Sequence, residues 1–183
     1  MADQKNPGSD IFRKRFETFK ELSREMGEEK AWEKMFEGYP EKHKKLMGQF
    51  IDNDTLANGF SKAIPAFKQG GWDMEVVDIS NKGMDAVIEI QKVCPALGVC
   101  KDYGYEKPCF LVCKMDGEAT KKAFPEMSGE ILCRQADGAC VCAFKYERKA
   151  KEKTGVRSQN QMPKLKDLKA KNQKSAIRNG CDR

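Results

Sequence analysis

The hydrophobic period of this chain changes once, at Gly70-Gly71, and that change bounds the fold. Before it, apolar residues recur every three or four positions, the spacing of a helix face. Ile11, Phe12, Phe16, Phe19, Leu22 and Met26 make one such face, and Ser9-Asp10 offers its cap. Ala31, Trp32, Met35 and Phe36 make a second, and His43, Leu46, Met47, Phe50 and Ile51 a third. Leu56, Phe60, Ile64 and Phe67 make a fourth, capped by Asp54 or Thr55 and open to a kink at Pro65. After the glycines, WDMEVVDIS and MDAVIEIQK are strand-like and are joined by the turn SNKG. Cys94-Pro95 breaks the second strand, and a short helix or loop runs on to Gly104. A helix is expected from about Pro108 to Phe124, with proline as its first residue. GEILCRQ-ADG-ACVCAFKY then reads as a second hairpin about Asp137-Gly138. Helices followed by hairpins, without βαβ alternation, mean an α+β fold with an antiparallel sheet.

The expected domain spans 10–148, one ligand-binding α+β unit, with a basic, flexible tail over 149–183. The net charge of +6 arises there: from Lys145 onward, basic residues far outnumber Glu147, Glu152, Asp167 and Asp182. A slightly acidic body argues against a nucleic-acid-binding fold. The tail carries no aromatic residue from Lys151 to Arg183, so any nucleic-acid contact is limited to its charge. No run of 18 apolar residues could span a membrane, and the polar N-terminus lacks a secretory pattern. The expected location is cytoplasmic.

Seven of the eight cysteines lie between Cys94 and Cys142. In a reducing compartment, cysteines serve as metal ligands, reactive thiols or small buried apolar residues before they serve as disulfides. Cys109, Cys113 and Asp116 share one helix face by spacing. A two-residue turn at Asp137-Gly138 would place Cys133 opposite Cys142. It would also put Ile131, Cys133, Gln135, Cys140, Cys142 and Phe144 on one sheet face. If the helix packs there, Cys109, Cys113, Asp116, Cys133 and Cys142 converge, with Cys94 at the rim. Simple packing is one reading of the set. A zinc or iron–sulfur site drawn from Cys94, Cys109, Cys113, Cys133 and Cys142 is another, although no CxxC pair occurs. A nucleophilic thiolate is a third: helix position favours Cys109 most, and no Cys–His pair is available because His43 is expected to face solvent. A Cys133–Cys142 redox couple is a fourth.

The stretch from Cys94-Pro95 through PCFLVCKMDGEA to ADGACVCAF resembles the L-2-amino-thiazoline-4-carboxylic acid hydrolase-like family. The matching positions are Cys94, Cys113, Asp116, Gly138, Cys142 and Phe144. The layout is also similar to the small-molecule-binding domain of 4-vinyl reductase proteins. The resemblance implies a domain enclosing a small organic ligand and hydrolytic opening of a thiazoline ring. On that basis Cys113 is the expected nucleophile and Asp116 the acid/base, with Cys94, Cys142 and Phe144 lining the pocket. Arg134 could pair a substrate carboxylate, but strand alternation points it away from the cysteine face. The alternatives are a cysteine-ligated metal protein and a non-catalytic small-molecule sensor.

Overall fold

A computed structural model describes residues 7–104 and 109–150, all within one unit, Met1–Lys151. Pro108 and the tail beyond residue 150 lie outside the described residues. Four helices come first: α1 (Pro7–Met26), α2 (Glu28–Phe36), α3 (Tyr39–Ile51) and α4 (Leu56–Gln69). α1 starts two residues ahead of the expected Ser9-Asp10 cap. Phe12, Phe16 and Phe19 of its predicted face are buried, but Ile11 is 67% exposed, because only one of two adjacent residues can point inward. Gly27 and Gly38 separate the first three helices with φ of 84° and 68°, values that glycine adopts without a Cβ clash. Thr55 caps α4, its side chain accepting from the Asn58 N–H at 3.3 Å. Pro65 is carried inside α4, which continues to Gln69. Among the described residues no helix is long and apolar enough to cross a membrane.

The sheet is antiparallel, in the order β1-β2-β4-β3. β1 (Asp73–Asp78) and β2 (Met84–Val93) form the first expected hairpin, closed at Asn81–Met84. β2 ends where proline stops the ladder: Cys94 precedes α5 (Pro95–Asp102), with Pro95 in its first turn. A π-helical turn (Phe110–Lys114) and α6 (Met115–Ala123) come next, then β3 (Met127–Cys133) and β4 (Cys142–Lys149).

The second hairpin corrects the expected turn. Ile131 pairs with Phe144, as counted from the sequence, but the register then slips and Cys133 pairs with Ala143 rather than Cys142. A 3₁₀ turn at Gln135–Asp137 replaces the two-residue turn, so strand alternation stops at Cys133. Gln135 and Cys140 therefore leave the strand ladder, and Cys140 is exposed.

One sheet face turns toward the helices. It carries Asp85, Val87, Glu89 and Gln91 from β2, paired with Arg148, Tyr146, Phe144 and Cys142 of β4. Val87 packs with Met47, Ile51, Leu56 and Phe60 of α3 and α4. At one end the buried Arg148 Nε donates to Asp85 Oδ2 at 2.9 Å. Asp85 also accepts the Leu56 N–H, and Arg148 reaches the Asp54 carbonyl, so this ion pair ties the start of α4 to the sheet.

Candidate functional site

The π-helical turn shapes the site. Lys114 N–H donates to the Cys109 carbonyl at 3.1 Å, an i→i+5 bond that widens one turn. A regular helix was expected here. The widened turn ends at α6, and its cysteines meet the sheet: Cys109, Cys113, Cys142 and Phe144 form one buried cluster, edged by Ala136 and Tyr146.

Within that cluster Cys109 and Cys113 share a side-chain hydrogen bond and part company in protonation. The bond from Cys113 is the main cause that lowers the Cys109 thiol to about 7; burial opposes it and the Arg134 guanidinium assists. Cys113 is held protonated by the same bond, by burial and by the charges of Cys109, Cys94 and Asp116. Cys94 is half-buried and pushed up to about 11, chiefly by burial, with Cys142 and Cys109 adding. Cys142 is raised by burial, while Gln135 N–H donates to its Sγ at 3.3 Å. Cys133 turns its thiol to the Val141 carbonyl at 3.5 Å. Among the described residues, no three His, Cys, Asp or Glu side chains are arranged to hold a metal ion.

A cavity of about 540 Å³ lies between this turn, α6 and the β3–β4 hairpin. Cys109, Cys113, Gly117, Gly129 and Arg134 line it, with Lys114 and Lys121 among the others. Arg134 thus faces the cysteines, contrary to the strand-based expectation. The 3₁₀ turn frees it from the ladder, and its Nε donates to Asp137 Oδ2 at 2.7 Å. A Cβ on Gly129 would sit 3.2 Å from the Tyr146 ring, so glycine there lets the ring lie close against β3. A Cβ on Gly117 would meet nothing within 4 Å. Gly117→Phe therefore keeps the fold, with helix propensity improved by roughly 0.5 kcal/mol, and fills the cavity mouth. A thermal melt and the labelling rate of Cys109 by a bulky maleimide check this: the melt holds and the labelling slows.

Behind Cys113 lies a polar layer. Asp116 accepts a short hydrogen bond from the Tyr39 hydroxyl. Burial, with Asp116 adding, pushes Tyr39 up to about 12. His43 is not solvent-facing: Nε2 lies 3.0 Å from Thr120 Oγ1, and the ring stacks with Tyr39 and meets Phe124 edge-on. Burial lowers its pKa, favouring the neutral ring. Glu89 is 5% exposed, takes one hydrogen bond, from Gln91 Nε2 at 2.6 Å, and is pushed up to about 7, chiefly by burial. Tyr39, His43 and Glu89 were missed in the sequence. The available signals were Tyr39 and His43 at i and i+4 with Met47, and an acid between Val87 and Gln91 at inward strand positions.

A family model described as L-2-amino-thiazoline-4-carboxylic acid hydrolase matches residues 9–146. The chain is also similar to the crystal structure of the phenol-responsive sensory domain of the transcription activator PoxR with phenol. That likeness has 12% identity and a TM-score of 0.48, over 77% of this chain and 74% of that one. No curated protein matches.

Proposed function

The chain belongs to the L-2-amino-thiazoline-4-carboxylic acid hydrolase family, and from that premise we propose that it binds a small carboxylate-bearing C=N heterocycle and opens the ring with water. The observation that carries the reading is the Cys109–Cys113 pair on a cavity wall beside Arg134. Cys109 is the nucleophile and Cys113 the proton donor. The family resemblance had given the nucleophile's role to Cys113, whereas helix position favoured Cys109. Arg134 receives the carboxylate, since a guanidinium suits carboxylates geometrically. Asp116 is a positioning residue: its charge keeps the Cys113 proton in place.

The chemistry closes on these groups. The Cys109 thiolate forms a C–S bond to the C=N carbon, and the ring nitrogen takes the Cys113 proton. The ring C–S bond breaks, its electron pair leaving as the substrate's own thiolate. Water then adds to the carbon and gives a proton to Cys113. The hydroxyl proton passes to the substrate thiolate as the carbonyl forms and Cys109 leaves. The product is a ureido acid with one new thiol. Incubation with 2-amino-thiazoline-4-carboxylate, followed by a thiol reagent and mass analysis, tests this. A gain of one water and one thiol in the small molecule supports it. Binding without turnover would reduce the protein to a small-molecule-binding domain.

A further inference from the structure

We propose that the substrate carries an apolar group of about benzyl size on its C=N carbon, and that this group lies between Ile131 and Gly117 in the cavity that Cys109 lines. This rests on the hydrolase reading and names the class of its substrate. The cavity is elongated because of how its two walls are joined. α6 ends at Ala123 and β3 begins at Met127, whose N–H donates to the Phe124 carbonyl at 2.9 Å. So short a connection turns the chain back, and β3 runs antiparallel to the helix it packs on. Cys109 and Arg134 therefore share the end far from the connection, Cys113 and Ile131 the middle, and Gly117 and Gly129 the nearer end. Arg134 is still extended, so five residues back to Gly129 cover about 16 Å. 2-Amino-thiazoline-4-carboxylate spans five bonds from carboxylate oxygen to amino nitrogen, about 6 Å. With its carboxylate on Arg134 and its C=N carbon at Cys109, it occupies one end. The whole cavity, about 540 Å³, suits a larger ligand.

The remaining length is apolar and short of side chains. Ile131 is 40% exposed although it stands on the helix-facing side of β3, paired with Phe144, and it borders the cavity. Gly117 sits inside α6, where glycine weakens a helix relative to alanine. A Cβ there would meet nothing within 4 Å, so packing does not call for glycine, and its effect is to keep the mouth open. Gly129 differs, because the Tyr146 ring accounts for it. The charges at this end have partners: Lys121 pairs with Glu118 at 3.0 Å, and the Lys114 ammonium lies 5.3 Å from the centre of the Trp32 ring. A second carboxylate is therefore the poorer fit there, and an apolar group the better one. The substituent sits on the carbon that Cys109 attacks and takes no part in the bond changes written above. One ring C–S bond is lost and one water gained, and the product is an N-acyl amino acid with a free thiol.

The probes are 2-methyl- and 2-benzyl-thiazoline-4-carboxylate, which differ only in the phenyl ring. Turnover and calorimetric affinity are measured on the full chain, as wild type, Gly117→Phe and Ile131→Ser. Wild type favours the benzyl probe by at least about tenfold in both kcat/KM and Kd. Gly117→Phe fills the space and Ile131→Ser removes the apolar wall, so each brings that ratio toward one. Melts check that both variants fold, and Ile131→Ser changes a side chain that is already part-exposed. A wild-type ratio near one, or a ratio that survives both substitutions, overturns the proposal, while turnover of either probe leaves the hydrolase reading standing. A benzyl preference in binding that the substitutions abolish, without turnover, supports the subsite and sinks the hydrolysis. If neither probe binds, both fall.

Discussion

Asp85→Ala lowers stability by about 3–5 kcal/mol, because it leaves Arg148 buried and unpaired. In a domain of this size the melting temperature falls by about 10–20 °C. The cause is local and doubled. Arg148 and Asp85 expose only 2% and 8% of their side chains, so the remaining guanidinium cannot be rehydrated without parting α4 from the two central strands. Asp85 also accepts the Leu56 N–H, at the first turn of α4, where a backbone donor has no helical partner. Among the described residues the Arg148 Nη1 already lacks a hydrogen-bond partner, so they offer no spare acceptor to absorb the loss. Asp85→Leu combined with Arg148→Met removes both charges and recovers most of the stability. Melts of the single and double variants, arranged as a cycle, measure the coupling. Additive effects would mean that the pair does not hold α4 to the sheet.

Cys109→Ser reduces turnover of 2-amino-thiazoline-4-carboxylate on the order of 10³-fold or more, the scale of removing a nucleophile. Cys113→Ala costs less, about 10²-fold, the lower end for a lost proton donor, and changes the pH profile as well. The sign follows from the shared hydrogen bond. In wild type the Cys109 thiol sits at about 7, so activity rises through neutrality as the thiolate forms. Without Cys113 the main cause of the lowering is gone, and the rise moves to higher pH. If the two cysteines played the opposite roles, Cys113→Ala would be the dead variant and Cys109→Ser the one with a displaced profile. Steady-state rates from pH 6 to pH 9 separate these outcomes.

The layering was readable because it rests on periodicity. Phe12, Phe16 and Phe19 repeat at helix spacing, and Val87, Glu89 and Gln91 alternate along a strand. Cys109, Cys113 and Cys142 were expected to converge and do so with Phe144, but Cys133, expected among them, lies outside the cluster because the hairpin register slips after Ile131. Arg134 was not readable. Its direction depends on a 3₁₀ turn after Cys133, and Asp137-Gly138 carries the same two-residue signal whether or not that turn forms. His43 was misread because a lysine-rich segment suggests a wet face. Lys42 and Lys45 are exposed, while the His43 ring packs between Tyr39 and Phe124. The protonation order of Cys109 and Cys113 lay beyond any spacing rule, as it depends on Arg134 and Asp116 approaching from different elements.

The central claim is that Cys109 is a thiolate near neutral pH, made so by Cys113 and Arg134. The most direct measurement is the rate of iodoacetamide modification at each cysteine as a function of pH, read by peptide mass analysis. Modification at Cys109 with an apparent pKa of about 7, shifted upward in Cys113→Ala and Arg134→Gln, is the predicted result. Modification of Cys109 with the pKa of an ordinary thiol, about 8.5, or faster modification at Cys113, would contradict it.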